Sequence, residues 1–165
     1  MSSEEVEVSP AVSGRYWFIE MGAVRDSTLW GEVAHELSFM KRSDVLAKRW
    51  GVRILCFRLM LSRVTFVVWG DEKSVRHWQR LTMSGHGVQF YHQGGFLCWE
   101  PPAVLTLRDK EHALEMCDGV HKLGRDPLMA PWSSLRDICG LREAPWFSPK
   151  RLIDQRSSAG HMAVA

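Results

Sequence analysis

Tyrosine is scarce in this chain: only Tyr16 and Tyr91 occur in 165 residues, which leaves two candidates for any chemistry that needs a phenolic nucleophile. The four cysteines, Cys56, Cys98, Cys117 and Cys139, are widely spaced and form no C-x-x-C pair. That spacing excludes a zinc ribbon and a disulfide-stapled scaffold, so reduced core thiols are expected. No uninterrupted apolar stretch approaches the length of a membrane span, and the expected location is the cytoplasm. The opening MSSEEVEVSP is acidic and polar, unlike a signal peptide, and residues 1–14 are expected to be a disordered lead. A large excess of either charge is also missing, with 21 Lys and Arg against 19 Asp and Glu. A net charge of +2 does not by itself indicate nucleic acid, so the placement of the cations has to decide.

The content of 45% hydrophobic and 24% charged residues is ordinary for a soluble globular domain. The length fits one domain, expected over 15–150, with a flexible, small-residue tail over 151–165. Tryptophan is abundant, with eight spread from Trp17 to Trp146, and most are expected in the core because an indole buries a large apolar area.

Aromatic and branched residues predict a first strand over Arg15 to Glu20. Ser27 can cap a helix with Leu29, Trp30, Val33, Leu37 and Met40 at helical spacing, ending near Lys41-Arg42. Ser43-Asp44 resembles a second cap, so the helix either restarts there or continues with a kink to Gly51. Val52 to Met60 and Arg63 to Trp69 predict a hairpin turning at Leu61-Ser62. In its second arm Val64, Phe66 and Val68 share one face, and Arg63, Thr65 and Val67 the other. Asp71 to Met83 predicts a second helix, followed by a glycine-rich loop over Gly85 to Gly95. Phe96 to Trp99 and Ala103 to Leu107 look like short strands interrupted by Pro101-Pro102. A third helix follows, capped by Asp109, with Leu114, Cys117 and Val120 inward and Lys122 and Arg125 at its negative pole. The chain beyond Pro127 is less regular.

On the second helix Lys73, Arg76, His77 and Arg80 fall at i, i+3, i+4 and i+7, which places them in one stripe. A phosphate backbone would contact such a stripe, and a plain solvated face would also account for it. His86, Tyr91 and His92 in the glycine-rich loop lack a fourth ligand at a metal-site spacing. Glu111 and Glu115 share a helix face near His112, an arrangement usually met on solvated helices.

This order of elements fits an α+β ferredoxin-like sandwich, an antiparallel sheet with helices packed on it, a fold that many functions share. Four segments carry a more specific resemblance. Leu59-Met60-Leu61-Ser62-Arg63-Val64-Thr65-Phe66-Val67-Val68 occupies the place of a Leu-Met-Pro-Asn-His-hydrophobic-His strand. Gly95-Phe96-Leu97-Cys98-Trp99-Glu100 matches a Gly, hydrophobic, Trp and Gln segment. Asp126-Pro127 precedes Trp132-Ser133-Ser134-Leu135-Arg136 at the same spacing as an Asp-Pro and Trp-Ser-Ser pattern, and Pro145-Trp146 follows. Together, over residues 15 to 147, they resemble the REP-associated, IS200-like single-tyrosine transposases, a bacterial group.

The resemblance implies a DNA-nicking and strand-transfer enzyme in which two histidines on one strand face hold magnesium or manganese and a helix tyrosine attacks the phosphate. Here the histidine positions are Arg63 and Thr65, and the tyrosine position aligns with Gly119 in Asp118-Gly119-Val120-His121. The expectation is therefore a catalytically inactive relative without a cofactor, binding hairpin or single-stranded DNA. Its contacts would come from Arg63, Lys73, Arg76, His77, Arg80, Lys122, Arg125 and Arg136, with unpaired bases stacking on Trp99 or Trp132. For Arg63 the plain alternative is an arginine paired to a nearby carboxylate. Two other readings stay open. One is a protein-interaction or regulatory subunit using the fold as a scaffold. The other is an enzyme, either nicking with atypical residues or recruiting His86, His92, Glu111, His112 or Glu115 for different work.

Overall fold

Eight elements follow one another along the chain: β1 (Arg15–Gly22), α1 (Val33–Trp50), β2 (Arg53–Leu59), β3 (Arg63–Gly70), α2 (Glu72–His92), β4 (Ala103–Leu107), α3 (Lys110–His121) and α4 (Ser134–Ile138). The computed structural model describes residues 13–24, 27–31, 33–123 and 133–139, without the side chains of Val33, Ala34 and Arg136. The expected tail, most of the expected lead, Arg125, the Asp126-Pro127 and Pro145-Trp146 motifs and Trp132 therefore lie outside the described residues.

The strands form one antiparallel sheet in the order β2-β3-β1-β4, the arrangement expected of a ferredoxin-like α+β sandwich. The β2–β3 hairpin turns at Leu61-Ser62, closed by Met60 N–H to the Arg63 carbonyl at 2.8 Å. Helices α1 and α2 cover one face of the sheet, where Trp17, Ile19, Met21, Phe39, Phe57, Phe66 and Trp78 form the main core. Helix α3 covers part of the other face, where Leu55, Cys56, Val67 and Leu107 meet Ala113, Cys117 and Val120. The parity read from β3 holds, but both of its faces are buried. A bulge between Ile54 and Cys56 puts Leu55 and Cys56 on the α3 face together, and the alternation resumes one residue out of phase.

Local reading placed several boundaries wrongly, each for a physical reason. Ser27 does not cap α1. Leu29 and Trp30 are instead buried ahead of the helix, tied to the hairpin by Leu29 N–H to the Leu61 carbonyl (2.9 Å) and Trp30 Nε1–H to the Met60 carbonyl (2.7 Å). Of the two courses left open at Ser43-Asp44, α1 takes continuation and runs through both to Trp50. Ser43 donates to the Phe39 carbonyl at 2.8 Å and Asp44 accepts from Lys48 at 2.6 Å, so both polar side chains are satisfied along the helix.

Helix α2, capped by Asp71 accepting from Ser74 N–H at 3.0 Å, continues to His92 through most of the segment expected to be a loop. At Gly85 the Arg42 side chain of α1 comes close: a Cβ would stand 2.7 Å from its Cδ, so that flexible chain would have to shift. The helix ends at Gln93, and Gly94 turns the chain with φ +81. Phe96 to Trp99 is no strand, since only Trp99 pairs, through a single bridge to Ala23. Asp109 caps α3 as expected, accepting from His112 N–H at 2.8 Å. Beyond Pro127 the described residues contain a short helix, α4, capped by Ser133.

Cys56 and Cys117 are buried free thiols, but Cys98 and Cys139 are exposed, contrary to the expectation of four core cysteines. Trp17, Trp30 and Trp78 are fully in the core, and Trp50 and Trp99 pack against it. Among the described residues no helix is long and apolar enough to cross a membrane.

Candidate nucleic-acid interface

Strand alternation places Arg63 and Thr65 on the α3 side of the sheet, as the parity of β3 required. Their neighbours give them separate roles. Arg63 Nη1 donates to Glu20 Oε1 at 2.9 Å, so its charge is partnered at the surface. Glu20 comes from β1, where it pairs in register with Thr65 while Gly22 pairs with Arg63. Thr65 is buried, and its hydroxyl makes a long 3.5 Å contact to the Arg58 carbonyl. Neither position presents a lone pair to solvent that could ligate a cation.

Beside them lies a buried polar network that local patterns did not announce. Arg58, opposite Thr65 on β2, donates through Nη1 to the His121 carbonyl at 2.9 Å. Its guanidinium therefore sits at the negative pole of α3, where the last carbonyls lack helical partners. Burial lowers the Arg58 pKa. Ser134 accepts from Phe57 N–H at 3.0 Å and donates to the Phe57 carbonyl at 3.2 Å, and His121 Nε2 is 2.7 Å from the same hydroxyl. Ser133 bridges Arg58 in an isolated antiparallel pair. The two serines of the Trp-Ser-Ser motif thus clamp α4 onto strand β2. The serine–histidine pair resembles a nucleophile and base only in composition, since both residues are buried from substrate.

Gly119 is exposed near the end of α3, and a Cβ built there meets nothing within 4 Å. Neither tyrosine substitutes for a nucleophile at that place. Tyr16 lies on β1, its phenol pushed up by burial against the opposing pull of Arg53. Tyr91 lies in the last turn of α2, a helical position rather than the expected loop.

The basic stripe exists, on the opposite side of the sheet from Arg63. Lys73, Arg76 and Arg80 are exposed along α2. Arg76 is bound to Glu72 at 2.8 Å, and the half-buried His77 ring packs edge-on against Trp50 with centroids 4.2 Å apart. Lys73 and Arg80 make no ion pair with a described residue. Lys122 caps α3 on the other side, so the expected cations divide between two surfaces. Arg125 and the side chain of Arg136 lie outside the described residues.

The remaining histidines and acids do not assemble a centre. His86 is fully buried and bonds through Nε2 to the Leu29 carbonyl at 2.7 Å, among Trp30, Phe39, Phe90 and Trp99. Burial lowers its pKa to about 4, and the adjacent Arg42 and His35 act in the same direction. His92 is exposed beside Tyr91. Glu111 and Glu115 are exposed, while His112 accepts from Arg108 N–H at 3.3 Å. Among the described residues no three His, Cys, Asp or Glu side chains cluster as a metal site would need. Trp99 is not a free stacking platform, because it packs on the core and donates to the Met83 carbonyl at 3.1 Å. Among the described residues the exposed large aromatics are Tyr91 and Phe96.

The fold is therefore a ferredoxin-like sandwich with an additional helix on the open sheet face, a scaffold with basic groups on two sides. The solved structure of a REP-associated tyrosine transposase bound to a REP hairpin has this fold, with a TM-score of 0.56 at 12% identity over 86% of this chain and 91% of that one. No protein-family model matches the sequence, and no curated protein does.

Proposed function

We propose that this protein is a transposase-derived, catalytically inactive nucleic-acid-binding protein whose target is hairpin or single-stranded DNA. The observation that carries the reading is the shared fold over 86% of the chain with a protein solved on a REP hairpin. The inactivity follows from chemistry. A divalent cation needs lone-pair donors on one face, and Arg63 offers a guanidinium held by Glu20 while Thr65 is buried. These residues do not fit the metal that the resemblance implies, and Gly119 supplies no hydroxyl. The cations best placed for phosphate are Lys73 and Arg80, with Lys122 on the second surface.

A titration of a hairpin oligonucleotide at increasing salt tests the binding. Affinity should fall log-linearly with salt, and Lys73→Ala with Arg80→Ala should each flatten the slope by roughly 1. Undetectable binding at low salt would remove the reading. Incubation of the same hairpin with magnesium or manganese should yield no covalent protein–DNA product, and such a product would overturn the inactive assignment. The partnering of Arg63 and Arg76 by carboxylates favours one second reading, an interaction or regulatory subunit built on the same scaffold.

A further inference from the structure

The α3 face of the sheet holds two nucleophilic groups with no part in the proposed function, the thiols of Cys56 and Cys117. They come from different elements, β2 and α3, and both are fully buried in one apolar cluster with Val67, Leu107, Ala113 and Val120. The bulge is what turns Cys56 this way. In an unbroken strand it would share a face with Ile54, which lies in the α1–α2 core. Cys117 stands in the inward stripe of α3, one turn after Ala113 and one before Val120. Burial pushes the Cys56 thiol well above its ordinary value, and the Cys117 thiol, hydrogen-bonded to it, pushes the same way.

Two adjacent thiols can serve a metal or each other. A metal needs further ligands, and among the described residues no three His, Cys, Asp or Glu side chains gather. A single buried cysteine packs as a small hydrophobe. Two that meet across a strand–helix contact need only a short approach to bond, because folding has already closed the loop between them. We infer that Cys56 and Cys117 are a latent disulfide, reduced in this structure, whose closure ties α3 covalently to β2. The thiolate is the reacting form, so burial keeps the pair inert while α3 is seated, and oxidation waits for that helix to lift. With a glutathione-type disulfide as oxidant, one cysteine thiolate attacks a sulfur of that disulfide and releases one glutathione. When α3 closes again, the second cysteine thiolate attacks the first cysteine's sulfur and expels the other glutathione. In sum, two protein thiols and one oxidant disulfide give one protein disulfide and two free glutathione thiols. None of these steps depends on nucleic-acid binding.

The test uses the full chain with its two exposed cysteines replaced, Cys98→Ser with Cys139→Ser. Incubation with oxidised glutathione in native buffer should lower the intact mass by about 2 Da, the two thiol hydrogens. A non-reducing digest should contain the peptides of Cys56 and Cys117 joined to one another. The oxidised form should unfold about 10 °C above the reduced one, because the closed loop constrains the unfolded chain, and dithiothreitol should reverse the shift. Cys117→Ala in the same background should show neither the mass loss nor the shift. The digest locates the bond even where that variant fails to fold. An unchanged mass after the α3 amides have exchanged with deuterated solvent, or glutathione retained on either cysteine, would overturn the inference.

Discussion

The two faces of the sheet are buried by different means. On the α1–α2 side, Trp30, Phe39, Phe66, Trp78 and His86 interlock as rings, with Phe66 and Trp78 edge-on at 5.2 Å. On the α3 side a smaller apolar cluster shares the surface with the directional bonds of Arg58, His121 and Ser134. Dispersion and area burial hold the first face, so its tolerance is set by volume. The second depends on matched donors and acceptors, and its tolerance is set by chemistry. Arg63, Thr65 and Gly119 all belong to the second, where Arg63 pairs with Glu20, Thr65 contacts the Arg58 carbonyl and Gly119 stands open.

Removing a ring from the first face should do the most damage. Trp78→Ala should cost about 3–5 kcal/mol in urea denaturation, and a loss under 1 kcal/mol would show that this face is not the volume-limited one. Next in size is a pH effect confined to the same face. His86 has its folded pKa depressed from the ordinary 6.5 to about 4, so the unfolded chain takes up this proton first as pH falls. The contribution is fully present above pH 6.5 and is lost on acidification towards pH 4, in total ~3 kcal/mol. His86→Gln should abolish that part of the pH dependence, and an unchanged pH profile would place its origin elsewhere.

On the second face Ser134→Ala should cost roughly 1–3 kcal/mol, because Phe57 N–H loses its acceptor. A neutral result in thermal denaturation would mean that the network is not what holds α4. The smallest effect has the opposite sign. Gly119→Ala should stabilise by about 0.5–1 kcal/mol, since the site is helical, exposed and open. Destabilisation there would reveal a constraint at the aligned tyrosine position.

Strands β1 to β4, the hairpin turn and the Asp109 cap were readable because their signals are local: apolar runs, a two-residue gap, an acid before a helix. The same signal misled at Phe96 to Trp99. What escaped local reading depends on distant partners. Gly85 and Gly87 signal a break in isolation, yet the helix runs on, with Gly85 facing the Arg42 side chain of another helix. Glu20 and Arg63 meet only through the β1–β3 register, which no spacing within either segment specifies. Arg58 did carry a signal, a cation inside an apolar run. Its orientation towards α3 nevertheless depends on the bulge, and its acceptor is the His121 carbonyl.

The bulge at Leu55 has a consequence for how this lineage can change in length. Downstream of it, Phe57 and Leu59 face the aromatic core while Arg58 faces α3. Loss of the Leu55 codon would join Ile54, paired with Val68, directly to Cys56, paired with Val67, and so restore a regular ladder with every other residue on its present face. A one-residue deletion elsewhere in β2 would turn over the residues between it and the bulge, where regular pairing would resume. Change of length in this strand should therefore be borne best at Leu55 itself, at the cost of one buried side chain.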